Sequence, residues 1–349
     1  MRSRASTRRP GWTLRPAAAY DGAMNLHSRR TRTLLLAVAS MALPACMTGA
    51  AQQPTATAPV PAQPGAHAAI AGSGHVPHRV YDVAAASFID FETLAVRASS
   101  VDVVYFGEQH GHVPGHRLQH ALLEAVGRRT DATLSMEMFE RDVADIVAGY
   151  AAGRVDLARF LERSRPWPRF FPDYHPLVEE ARGRGWPVVA ANVPRPLASQ
   201  VAQEGLATLE TLPAAERAHA AADIQCPDDD YRSRFVEQMT RHPSGHGEPD
   251  PAADAIRHQR YYESQCVKDE TMAESIVAAL AGGAPRPVIH VTGAFHTDHG
   301  DGIPVRVLRR DPSVSSFSVT VVPVADLDEL DPAAHAGRAD YLLFTLATP

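Results

Sequence analysis

Two short motifs, Gly107-Glu108-Gln109-His110 and Gly293-Ala294-Phe295-His296, each put a histidine three residues after a glycine. Each closes an apolar run, VDVVYF and PVIHVT, of the length and composition of a buried β-strand. Imidazole titrates near neutral pH and is a common metal ligand, so a pair at one sheet edge could hold an ion or move a proton. Glycine lets the backbone pass closely or take positive φ. Carboxylates accompany the pair. Glu108 lies inside the first motif, and Glu137 interrupts the apolar run LSMEMF, where a lone charge is costly unless it is partnered. We expect Glu137 either to form an acidic pair with Glu108 on a neighbouring strand or to accept from an imidazole or from Arg141 or Arg195. A third run, PVVAANV, ends in Asn192 and Arg195, an amide and a guanidinium suited to a carboxylate or phosphate. On chemistry alone, His110, His296 and a carboxylate could hold a divalent metal that activates water. Glu108 or Glu137 would then be the general base of a metal-dependent hydrolase. Glu108, His110, Glu137, Asn192, Arg195 and His296 are all expected around one pocket. Near the first motif, His116 and His120 share a helical face if a helix begins near Pro114, a spacing that can chelate a metal. His112 and His120 read as solvent-exposed, and His116 as facing the strand ends.

For these groups to meet, the elements must form an open α/β sheet, where functional residues gather beyond the carboxyl ends of the strands. The pattern alternates as required. Strands at VDVVYFGE, ATLSMEMF and PVVAANV are separated by helices at about 115–129 and 176–184, with further helical sequence after the second strand. Residues 196–281 read as a helical insertion between the third and fourth strands, and PVIHVTGAFH, SSFSVTVVPV and DYLLFTLA complete the sheet. The fold class is therefore α/β, a mainly parallel sheet sandwiched by helices.

The folded region spans 79–349, and the sequence before it has a different character. Residues 1–45 read as a secretory signal with its true start at Met24: arginines at 29, 30 and 32, an apolar run from Leu34 to Leu43, then small residues. That run is too short for a permanent span. Cys46 resembles the lipidated cysteine of a bacterial lipoprotein, and residues 46–78, rich in Ala and Pro, read as a tether. Met47, not Asp, resembles outer-membrane sorting, which places the domain in the envelope facing the periplasm. Of three cysteines, the remaining two, Cys226 and Cys266, suggest a disulfide stapling two helices in an exported chain. A net charge of −6 gives no basic footprint for nucleic acid.

Taken in order, GEQHGHVPGH, MEMFERD, AANVPR, ESQCVKDETMA and GAFHTDHGDGIP resemble the ChaN-like haem-binding lipoproteins, a family grouped with the Tiki metalloproteases and, more distantly, the erythromycin esterases. The resemblance covers roughly 80–345. It implies an iron-regulated, membrane-anchored protein for haem or iron uptake, with haem held at a homodimer interface by a tyrosine. Tyr174, beside Trp167, Phe170 and Phe171, is the first candidate for that tyrosine and Tyr261 the second, with Asn192 and Arg195 as cofactor contacts and Arg195 facing a propionate. From the Tiki side the resemblance implies metal at His110 and His296 with Glu108 or Glu137.

Overall fold

The computed structural model describes residues 76–241 and 251–348. The signal segment, Cys46 and all but the last residues of the tether lie outside the described residues. Eight strands form one sheet: β1 (His78–Asp82), β2 (Ser87–Ile89), β3 (Val103–Glu108), β4 (Thr133–Glu140), β5 (Val188–Asn192), β6 (Val288–Gly293), β7 (Ser316–Val324) and β8 (Tyr341–Leu346). Their spatial order is β2-β1-β8-β7-β3-β6-β4-β5. From β8 to β5 every pairing is parallel, and β1 and β2 add an antiparallel edge. The sequence pattern did not give that edge hairpin, because HRVYD and SFI are too short and too polar to read as strands.

The helices are α1 (Phe91–Ala98), α2 (Val113–Gly127), α3 (Ala144–Ala151), α4 (Leu157–Ser164), α5 (His175–Arg184), α6 (Arg195–Glu204), α7 (Ala214–Arg217), α8 (Asp230–Arg241), α9 (Pro251–Ala281) and α10 (Ile303–Arg310). Alternation along the strands divides them into two layers. Val104, Phe106, Leu134, Met136, Met138, Ile289 and Val291 pack on one face with Leu122 and Leu123 of α2 and Leu177 and Val178 of α5. Val103, Tyr105 and Val288 pack on the other with Met272, Ala273 and Ile276 of α9 and Ile303 and Val307 of α10. The stretch expected to be wholly helical contains α6 to α9 but is interrupted by irregular backbone at 218–229. No described helix is long and apolar enough to cross a membrane.

The strand order explains how distant motifs meet. After β3 the chain skips one position to lay down β4 and β5, then returns through α9 to place β6 between β3 and β4. Glu108 at the end of β3 is thus in register with Gly293 at the end of β6.

Candidate functional site

At this switch in strand order, His110, Glu137, Asn192 and His296 line a cavity of about 520 Å³ above the carboxyl ends of β3, β6, β4 and β5. Its other wall comes from α6, α8 and α9, with Arg195, Phe235, Met239, Tyr261 and Lys268, and Trp167 closes the side beside His110. The motif glycines make room for each other's motif. A Cβ on Gly107 would fall 2.7 Å from Thr297 Oγ1 and 3.0 Å from the Ala294 Cα, inside the turn that carries His296. One on Gly293 would fall 3.0 Å from His110 Nε2. Close approach, not positive φ, is what both positions require; neither is among the glycines with positive φ.

Each imidazole is oriented by a buried carboxylate behind it. His110 is half-exposed, and its Nδ1 donates to Glu108 Oε1 at 2.9 Å. Glu108 in turn accepts from Gln119 Nε2 (2.7 Å) and the Tyr174 hydroxyl (2.7 Å), with His116 Nδ1 at 3.4 Å. The Gly111 N–H donates to His116 Nε2 at 3.2 Å, so the His116 proton lies on Nδ1, facing Glu108 and Gln119. Burial alone would raise the Glu108 carboxyl, but hydrogen bonds with His110 and His116 overcome this and hold it at about 2. That anion, with Glu137 nearby, raises the His110 imidazole above its ordinary value.

His296 is built the same way from the opposite face of the sheet. Its Nδ1 meets Asp269 Oδ1 in a close ion pair, and Nε2 lies 3.4 Å from Glu137 Oε1. Asp269 also accepts from the Tyr231 hydroxyl at 2.6 Å. Glu137 accepts through Oε2 from Thr292 Oγ1 (2.7 Å) and the Gly293 N–H (2.8 Å). Burial opposes charge on both partners, yet they sustain each other: Glu137 stays well below the usual carboxylate range, and His296 is pushed up to about 10 between two carboxylates. A third imidazole, His290, is fully buried beside Ser135; burial holds it at about 3 and therefore neutral.

Several expectations need correction. Glu108 and Glu137 do not form an acidic pair, because β6 separates β3 from β4 and the two side chains leave the sheet on opposite faces. Of the alternatives for Glu137, the imidazole is the partner; Arg141 goes to Glu274, Ser275 and the Thr271 carbonyl. Glu108 is one layer behind the cavity wall, supporting His110. Tyr174 is buried, its hydroxyl committed to Glu108, and burial beside that carboxylate pushes the phenol up, away from tyrosinate. Tyr261 does line the cavity. His112 is buried, not exposed: it caps α2 by accepting from the Gly115 N–H, and its other nitrogen is 3.1 Å from the Leu346 carbonyl. Cys226 and Cys266 are disulfide-bonded, but Cys226 lies in the irregular backbone before α8, so the bridge ties a loop to α9.

Asp269, Tyr231, Gln119 and Lys268 belong to the site or its support, and sequence reasoning assigned none of them. Asp269 carried a signal. Tyr262, Cys266, Asp269, Ala273, Ile276 and Leu280 recur at helical spacing and are all buried, so one carboxylate interrupts a core stripe.

Residues 94–307 match the profile of the family described as "Haem-binding uptake, Tiki superfamily, ChaN". The chain belongs to this family. Among solved structures, "Cofacial heme binding to ChaN of Campylobacter jejuni" aligns with this ChaN-family chain at a TM-score of 0.59 and 16% identity, over 78% of this chain and 97% of that one. That is a likeness of fold. The type III effector HopBA1 aligns at a TM-score of 0.40 and 12% identity, over 73% of this chain and 93% of that one. A mutant erythromycin esterase, EreC, in its open conformation aligns at 0.39 and 14% identity, over 74% and 79%. No curated protein matches the sequence.

Proposed function

We propose that this protein binds haem at the cavity above the β3–β6–β4–β5 strand ends, as part of haem or iron acquisition at the cell envelope. Family membership supports the ligand class, and the observation that carries the site is the composition of the cavity wall. It offers an accessible imidazole in His110, a phenol in Tyr261, apolar surface from Trp167, Val193, Phe235 and Met239, and cations in Arg195 and Lys268. These groups fit an iron porphyrin, whose face is apolar, whose edge carries two propionates and whose iron takes a hard oxygen or an imidazole donor. Bound there, haem would supply iron able to accept an oxygen or nitrogen donor, with Tyr261 and His110 as the residues that would hold it. Tyr261 is our candidate for the residue that would hold the iron, in preference to Tyr174, whose hydroxyl is already used by Glu108, and Arg195 would meet a propionate. Following what the family resemblance implies, we propose that a second copy of the chain covers the haem on the open side of this cavity. Lipidation at Cys46 would anchor the domain to the outer membrane, facing the periplasm.

The test is a hemin titration of the mature protein, which should give a saturable Soret shift that Tyr261→Phe or His110→Ala displaces or weakens. The metal-dependent hydrolase is the alternative outcome. In its favour, buried carboxylates aim both imidazoles from behind, the arrangement that orients metal-binding histidines. Against it, the three-donor set that lies within 4.8 Å among the described residues is a different cluster, not His110, Glu137 and His296. Hydrolysis switched on by Mn²⁺ or Co²⁺ and abolished by His110→Ala, with no specific hemin binding, would replace the haem reading.

A further inference from the structure

His120, singled out by its spacing from His116, points to a different place. Its partners are Glu124, one turn further along α2, and Glu180 on α5, which packs against α2. One ligand atom from each lies within 4.8 Å of the other two, and His120 Nε2 is 4.0 Å from Glu180 Oε2. All three side chains are partly buried. The Glu124 carboxylate has no hydrogen bond or ion pair among the described residues. Glu180 uses only Oε1, accepting from Arg184 Nε at 2.5 Å, which leaves Oε2 turned to the imidazole. Histidine and glutamate four apart on one helix present donors to the same point. A third donor from a packed neighbour completes the three-ligand set with which Zn²⁺ is held when water keeps the fourth position.

We propose that His120, Glu124 and Glu180 form a divalent transition-metal site, of the nitrogen and oxygen class that takes Zn²⁺, separate from the cavity. The site does not depend on the haem reading. An ion there would clip α2 to α5. Those helices support Glu108: α2 carries His116 and Gln119, and α5 begins directly after Tyr174. The clip would therefore stiffen the layer that orients His110.

The experiment is a Zn²⁺ titration of metal-stripped, full-length protein by calorimetry, with thermal unfolding followed in parallel. Comparing His110→Ala with His110→Ala/His120→Ala removes the accessible cavity imidazole from both proteins, and the comparison also cancels histidines elsewhere in the chain. The parent should bind Zn²⁺ saturably and gain thermal stability from it. Adding His120→Ala should weaken binding at least about tenfold, since even outer-shell losses reach that scale, and should abolish the gain. Glu180→Gln, which keeps the side chain's shape, should do the same if the histidine variant folds poorly. Equal Zn²⁺ affinity and equal stabilisation in parent and variants would overturn the site. Hemin binding is read separately on the protein with His110 intact, with and without His120→Ala, so failure of one proposal is not failure of the other.

Discussion

A single protonation pattern governs the site at the level of residues. His296 is held as an imidazolium between Asp269 and Glu137, and its affinity for the proton is raised from an ordinary 6.5 to about 10. A group whose folded-state pKa is raised stabilises the fold fully below its unfolded value and loses that contribution as pH climbs through the folded one. The stability difference between wild type and His296→Gln should therefore be largest below about pH 6.5 and shrink toward pH 10. Denaturant titrations across that range check this, and a flat difference would contradict it. Glu108 behaves oppositely: its lowered carboxyl contributes above its ordinary value and fades on acidification toward 2. Tyr174→Phe removes a donor from that buried anion, and a hydrogen bond to a charged group is worth about 1.5–3 kcal/mol. We expect a loss of that size in unfolding free energy; a cost below about 0.5 kcal/mol, the floor for an ordinary hydrogen bond, would mean that Gln119 and the imidazoles suffice. The two histidines were legible in the sequence because they close apolar runs, and Glu137 because a lone carboxylate interrupts one. Asp269 was less so: it interrupts a stripe at helical spacing, but α9 is buried on several sides, Glu270 included, so the spacing alone does not single it out.

Among the elements, β3 and β6 and the turns that follow them decide whether the two imidazoles can approach. Gly107 allows the Ala294–His296 turn to press against β3, and Gly293 leaves room for the His110 ring. Gly107→Ala should overpack this crossing, costing about 1–3 kcal/mol, and weaken hemin binding through displacement of His296. Gly183→Ala is the control: apart from its chain neighbours and its own helix backbone, nothing lies within 4 Å of its added Cβ, so it should be neutral or stabilising by up to about 1 kcal/mol, the helix-propensity gain. Equal behaviour of the two variants would remove close packing as the reason for the motif glycine. The parallel strands were readable from short β-branched runs, and the helices between them from apolar spacing. The order of strands was not, because nothing in a run's composition says that β6 enters between β3 and β4. That insertion is also why the expected Glu108–Glu137 pair does not exist.

For the whole molecule, the central question is whether the cavity and a lipid anchor belong to one haem-handling protein. Cys46→Ala should release the protein from the membrane fraction, and an unchanged fraction would remove the anchor from the proposal. The cavity itself is tested most directly by titrating the metal-stripped mature domain with hemin, in wild type and Tyr261→Phe, following the Soret band. Haem binding at this site predicts a saturable shift in the wild type and a displaced band or weaker affinity in the variant. Hemin association no stronger than to an unrelated protein, and identical in the two, would contradict it.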